Sequence, residues 1–187
     1  MLTNETPFTD PSDNPTGCCP RFSPAAWDAL TLHFEGKPFV RAVTHCDTYV
    51  PLDMGPVFVA TFDAIEAAGA ADPAHALVLS RDLSPREAEH LFAVTREVPG
   101  AEMIRLNGDF RTRVFEGSFA DTPLWEDAMT TGLADDGLMP DPLYFFHTTC
   151  PRCAEAYGKN YVVGVAQLRS RSRAAGPRNF ARAMTGE

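Results

Sequence analysis

The residues with the clearest chemical potential in this chain are cysteines. Cys150-Pro151-Arg152-Cys153 forms a CxxC knuckle, and Cys18-Cys19 form an adjacent pair near the N-terminus. Two thiolates at CxxC spacing can grip one metal ion from a single tight loop, with zinc–sulfur distances of ~2.3 Å. A structural zinc site needs two further ligands, and Cys18 and Cys19 are the obvious source. His147, three residues before Cys150, could replace one of them. Four thiolates close the coordination sphere, so such a zinc would be structural rather than catalytic. It would tie the N-terminal segment to the loop 149–160. The same spacing also serves thiol–disulfide exchange, but there it normally opens a helix after a strand in a βαβ setting. Residues 149–160 read instead as a loop between strands. Plain reduced cysteines without a role are the third reading. Cys46, inside an apolar strand, reads as a small buried side chain.

Candidate acid–base groups lie elsewhere. Glu116 ends a strand directly before Gly117 and could act as a general acid/base or anchor a ligand. His147 becomes the other acid/base candidate if it binds no metal, because imidazole titrates near neutrality. Glu102 and Asp53 are further polar candidates for ligand binding, and Tyr144 and Trp125 could line an aromatic pocket or simply fill the core. His45 reads as a hydrogen-bonded strand residue. Gly158-Lys159-Asn160 is not a phosphate loop, because Cys153 stands where the upstream glycine belongs and Asn160 replaces Ser or Thr. The sequence contains no GxSxG, HExxH or GxGxxG, and Ser80, Ser84 and Ser118 have no visible triad context.

These groups must be positioned by a chain of 187 residues, 44% hydrophobic and 22% charged. That length suits one domain and is short for two. The composition excludes wholesale disorder, a fibrous protein and a coiled coil. No apolar run reaches the ~18 residues of a membrane span. The polar, Pro-rich start does not read as a secretion signal, so the expected compartment is the cytoplasm, where an odd count of five cysteines argues against a disulfide framework. Residues 169–187 carry five arginines and one glutamate; the other 168 residues hold 11 basic and 24 acidic side chains, a net charge of −13. A body this acidic is a poor nucleic-acid binder, since phosphate contacts need clustered Lys and Arg. Oligomeric state is not legible.

Along the chain, residues 1–37 read as an extended arm pinned by Phe22 and Trp27, 38–168 as an α+β domain, and 169–187 as a basic, disordered tail. Residues 38–50 read as a strand. A helix follows, with Phe58, Phe62 and Ile65 on one face and Gly69 at its end. Residues 76–80 form a short strand, and 89–98 could be strand or helix. Glu102–Glu116 reads as a hairpin turning at Asn107-Gly108. Thr122 is an N-cap with Pro123 at the first helical position, and Gly137 is the stop. Residues 143–148 and 161–168 are the last strands. Strand, Gly turn, helix, strand, strand thus occurs twice, with Gly55 and Gly117 as equivalent turns. The expected fold class is α+β: two such repeats forming one curved antiparallel sheet with helices on one face, and a ligand cleft where the halves meet.

That plan, with the turns Met54–Phe58 and Glu116–Phe119, resembles the GyrI-like superfamily of small-molecule-binding domains over roughly residues 38–168. More specifically, Thr16–Phe22 (TGCCPRF) and Thr148–Val163 resemble a bacterial family that shares TGCCPRF and TTCPxCAxAYGKNYVV and whose members are labelled hydrolases. The superfamily resemblance implies a small-molecule ligand, with hydrolysis as a candidate reaction. Binding members of the superfamily often place an acidic residue two before a tyrosine on a late strand. Here Pro142 precedes Tyr144 at that spacing, with Asp141 displaced, which argues against cation recognition. The alternatives are a thiol–disulfide protein using the CPRC motif and a non-enzymatic interaction module whose fixed arm and basic tail serve a partner.

Overall fold

A computed structural model describes residues 3–170. The elements, in order, are β1 (Thr31–Asp47), β2 (Val50–Pro51), α1 (Met54–Ala67), β3 (Val78–Ser84), β4 (Glu87–Ala93), β5 (Glu102–Glu116), α2 (Thr122–Asp135), β6 (Leu138–His147), α3 (Pro151–Tyr157) and β7 (Tyr161–Ser170). The protein is α+β, with seven antiparallel strands in the order β2-β1-β4-β3-β6-β7-β5. β1 also pairs with β5, so six of the strands close into a ring. Closure removes the exposed edges that an open sheet would present.

The two long strands make this closure. The first part of β1 pairs with the first part of β5, Thr31 opposite Arg111 and Arg41 opposite Glu102. Their later parts turn to different partners: Phe39–His45 pairs with β4, and Phe110–Glu116 pairs with β7. β1 therefore starts at Thr31, within the stretch read as an extended, pinned arm, because Thr31–Pro38 has its own ladder with β5.

The predicted hairpin at Asn107-Gly108 is corrected: Glu102–Glu116 is one continuous strand. The Asn-Gly pair bends the strand instead of reversing it. It faces a register shift in β1 between Phe34 and Lys37, where Gly36 takes φ 62°. Asn107 Oδ1 accepts the Gly36 N–H at 2.7 Å, which satisfies a donor the bulge leaves unpaired. A strand that must leave one neighbour and join another needs such a bend, and local composition cannot tell it from a turn.

Alternation along the strands sorts the core. Leu32, Phe34, Phe39, Leu79, Leu91, Phe110, Tyr144, Val163 and Val165 pack together as one buried cluster inside the ring, joined by Trp27 from the N-terminal segment. Each large apolar side chain buried this way contributes ~1.5–3 kcal/mol. The intervening residues face outward. Val40 and Phe92 meet Ile65 of α1, while Phe145 and Val162 meet Trp125 of α2, with Met129 and Leu133 against Ala166. Of the predicted α1 face, Ile65 is buried and Phe58 half-buried, but Phe62 is 49% exposed, meeting Phe58 and Phe92 in T-shaped contacts. Gly69 (φ 59°) ends α1 as expected: Gly69 N–H donates to Glu66 O and Ala70 N–H to Ile65 O. α2 begins one residue before Pro123, with Thr122 inside it. Ser118 and Asp121 cap the preceding turn reciprocally, Ser118 N–H donating to Asp121 at 2.8 Å. The undecided stretch 89–98 is strand β4 to Ala93. The segment 149–160 is not all loop; it contains α3, stopped by Gly158 at φ 66°. From residue 171 onward the basic stretch lies outside the described residues.

Candidate metal centre

Residues 3–30 contain a single helical turn, Pro24–Ala26, and otherwise run irregularly, held by specific contacts. Gly17 takes φ 66°, and Cys18 N–H donates to Asn14 Oδ1 at 3.0 Å, so the chain turns just before the cysteine pair. On the other side, Cys150 caps α3, Pro151 occupies its first turn, and Cys153 lies fully buried one turn in. The two stretches meet. Thr16 Oγ1 sits 3.2 Å from Cys153 Sγ and 3.2 Å from the Tyr157 hydroxyl, and that hydroxyl donates to Cys19 O at 2.5 Å. Arg21 stacks over the Tyr157 ring at 4.9 Å.

This brings all four predicted sulfurs together. The Sγ atoms of Cys18, Cys19, Cys150 and Cys153 all lie within 4.8 Å of one another. Cys18 Sγ is 3.7 Å from Cys19 Sγ and 3.9 Å from Cys150 Sγ. A tetrahedron with metal–sulfur arms of ~2.3 Å has edges of about 3.8 Å, so these separations fit four ligands around one ion. Cys150 N–H donates to Cys19 Sγ at 3.4 Å, the kind of outer contact that orients a ligand. All five cysteines are unpaired as disulfides. Burial pushes the Cys18 and Cys19 thiols up, whereas the Thr16 hydroxyl draws Cys153 down to about 6. A bound dication would reverse the upward shifts, because a coordinating thiol loses its proton outright. The arrangement can therefore hold a metal ion and tie the N-terminal segment to the β6–β7 connection.

The chain matches a family described as bacterial hydrolase over residues 9–168. It belongs to that family. The matched span runs from before Cys18 to β7 and so includes the whole cysteine quartet. No curated protein matches the chain.

The remaining predicted residues do not converge on one place. His147 stands outside the quartet at the end of β6, with its ring 5.6 Å from that of Phe119. Burial lowers its imidazole to about 4, although part of the side chain reaches solvent. Glu116 is exposed and pairs with Lys159 at 3.4 Å. Tyr144 is buried inside the ring under the Arg81 guanidinium, 5.3 Å from its centroid. Trp125 lies on the opposite face of the sheet, stacked on Phe115 at 5.6 Å. Glu102 reaches Arg41 at 3.0 Å. Asp53 precedes α1 and binds His45 twice, accepting its N–H at 2.8 Å and meeting Nδ1 at 2.7 Å; the His45 contact lowers the carboxyl.

Two polar sets escape spacing arguments. Glu89, 5% exposed, accepts from Arg41 Nε at 2.6 Å and Arg81 Nε at 2.7 Å. Burial works to raise its carboxyl, and the two guanidiniums outweigh it, leaving it lowered. His90, 1% exposed, lies between Thr44 Oγ1 (Nε2, 2.9 Å) and Ser80 Oγ (Nδ1, 2.8 Å). Burial and the nearby His147 push it down to about 4, so it is neutral at pH 7. Ser80 and His90 are cross-strand partners in the β3–β4 hairpin, and only the register of that hairpin reveals the pairing.

Among the described residues, no helix is long and apolar enough to cross a membrane. Two surface depressions of about 290 and 300 Å³ lie beside α2 and α1 respectively, the first lined by Arg111, Met129 and Leu133, the second by Arg41, Ala64 and Glu102.

Proposed function

We propose that this member of the bacterial hydrolase family acts on a small molecule in a cleft between its two halves, with a structural zinc ion clamping the N-terminal segment. The carrying observation is the sulfur quartet. Its 3.7 and 3.9 Å edges suit zinc–sulfur arms, and its all-sulfur chemistry selects a borderline-soft ion over Mg²⁺ or Ca²⁺. Four thiolates leave no open position, so the zinc would supply no activated water; the four cysteines would hold it and fix the arm. Free cysteines in this number suit a reducing, cytoplasmic setting.

The two halves read as one strand-helix-strand-strand unit used twice, consistent with the GyrI-like plan. β4 lies between β1 and β3, and β7 between β5 and β6. The halves meet where β3 and β6 pair through Ser80 and Phe145. This seam, with α1 on one side and α2 on the other, is where we assign the ligand. His147 lies on it as the acid/base candidate, Trp125 lines it from α2, and Asp53 lies at the foot of α1. Glu116 and Glu102, on β5, and Tyr144, buried inside the ring, lie off this seam. A net acidic body still argues against nucleic acid as partner.

Metal content and free thiols of freshly purified, untagged protein test the clamp. One zinc per chain with four masked thiols is the expected result. Metal-free protein with a reversible Cys150–Cys153 disulfide would instead favour thiol–disulfide exchange. One observation supports that second reading: Cys150 caps a helix, and Cys153 is drawn toward about 6.

A further inference from the structure

We propose that Ser80 is the nucleophile of an acyl-transfer reaction on small carboxylic esters, with His90 as its base and Thr44 fixing the imidazole tautomer. This rests on the assignment of the ligand cleft to the seam between the halves, and it names the reaction class and the reacting atoms there.

Three observations carry it. First, Ser80 Oγ is 2.8 Å from His90 Nδ1, and Thr44 Oγ1 is 2.9 Å from Nε2. One imidazole nitrogen must donate and the other accept. With Nε2–H donating to Thr44, Nδ1 is free to accept the Ser80 hydroxyl, which is the nucleophile–base–orienter arrangement of serine acyl transfer. Second, burial is graded along the chain of contacts. Thr44 is 0% and His90 1% exposed, while Ser80 is half-buried and keeps access to solvent. The Phe58 ring edge covers the imidazole at 4.8 Å. Third, Ser80 stands at the seam, opposite Phe145. His147 lies two residues further along β6, a diagonal neighbour at ~7–8 Å by strand geometry. It is exposed there, within reach of a carbonyl oxygen held over Ser80. Burial, and then the nearby Glu126, raise the Asp82 carboxyl; these two acidic groups near the seam favour neutral or cationic esters over anionic ones.

The step balances with water as the only co-reactant. Ser80 Oγ attacks the ester carbonyl carbon as its proton passes to His90 Nδ1. His147 donates to the developing oxyanion. Collapse breaks the ester C–O bond, and the leaving alcohol takes the proton from Nδ1. Water then attacks the acyl-serine, gives a proton to Nδ1, and Ser80 Oγ departs with that proton, releasing the acid.

The test uses the full chain as purified, with a fluorophosphonate probe and p-nitrophenyl acetate. The fluorophosphonate should add to Ser80, mapped by peptide mass spectrometry. Ser80→Ala should abolish the label and lower ester turnover by ~100-fold or more, and His90→Gln should slow both by a similar factor. Melting temperature and metal content of each variant report the fold, and Ser80→Cys keeps the polar contact should Ser80→Ala prove unstable. Turnover that survives in Ser80→Ala, or a label on another residue, overturns the Ser80–His90 assignment and leaves the hydrolytic reading standing. No label and no turnover in the native protein overturns the assignment, and competition for the cleft by non-hydrolysable amides then tests the ligand reading alone.

Discussion

Removing the metal, or one of its ligands, should loosen the N-terminal segment without unfolding the sheet. Cys18 and Cys150 are 132 residues apart in sequence and 3.9 Å apart at sulfur. A cross-link closing a loop of that length removes about 5 kcal/mol of unfolded-chain entropy, on the same scale as a disulfide. For a domain of this size each kcal/mol moves the melting temperature by about 2–4 °C. Chelation, or Cys153→Ser, should therefore lower it by about 10–20 °C. Cys153 is the better target because it is fully buried and its sulfur touches Thr16. The assay is a thermal melt with and without a zinc chelator, followed by native-state hydrogen exchange. Amides of residues 14–27 should lose protection first, because the contacts of Thr16, Tyr157 and Arg21 depend on the joint. Strands β4 and β7 should stay protected. A melting temperature that does not move, with all of Cys18, Cys19, Cys150 and Cys153 reacting freely in the untreated protein, would refute the clamp.

Three further outcomes follow from buried groups. His90 is neutral in the fold and titrates near 4 there, against 6.5 in the unfolded chain. The unfolded state therefore binds the extra proton between those values, so stability present above pH 6.5 is lost as pH falls toward 4, by up to about 3 kcal/mol; urea titrations across this window should show it, and His90→Phe should flatten the slope. Glu89→Gln should cost about 3 kcal/mol, because Arg41 and Arg81 then face a neutral amide. The lowered Glu89 carboxyl contributes stability above about 4.5 that disappears as pH falls through its folded value, and the variant should lose that acid limb in the same titration. Gly164→Ala should cost about 1–3 kcal/mol, since its new methyl would lie 2.9 Å from Met129 Cγ and 3.1 Å from the Phe115 ring in a packed layer; a thermal melt measures it.

What the sequence shows and what it hides divide along sequence distance. The cysteines were legible because ligand chemistry restricts residue type and CxxC spacing is local. Gly69, Gly137 and Pro123 marked helix ends for equally local reasons. Asn107-Gly108 carried a real signal for an unusual backbone, but whether such a pair reverses a strand or bends it depends on what lies opposite, here Gly36. α3 was missed because seven residues are too few to show a helical period. Ser80 and His90 are joined by a hairpin register, and Thr44 reaches the same imidazole from β1. Glu89 likewise gathers Arg41 and Arg81 from two neighbouring strands. Each of these sets requires knowing the strand order before any member looks unusual.

The clamp has a reason beyond stability. A domain of this length with a core of Phe34, Phe39, Phe92 and Phe110 does not need a metal to fold. What needs holding is the N-terminal segment, which supplies Trp27 to the interior of the ring. Phe22 and Trp27 cover Phe146, and Phe22 also covers Tyr161, where β6 ends and β7 begins. Asp28 accepts the Val114 N–H at 3.0 Å, and Thr112 donates to the Trp27 carbonyl. The metal joint sits only a few residues before this plug and is anchored to the connection that follows β6. Phe146 and His147 are consecutive on β6, one facing the plug and the other facing the seam. Losing the metal would free the plug and with it the end of β6, so His147 should shift relative to Ser80. Chelation should thus depress any ester turnover at temperatures where the sheet is still folded, and re-adding zinc should restore it. Turnover unchanged by chelation, with the metal shown to be gone, would separate the clamp from the chemistry.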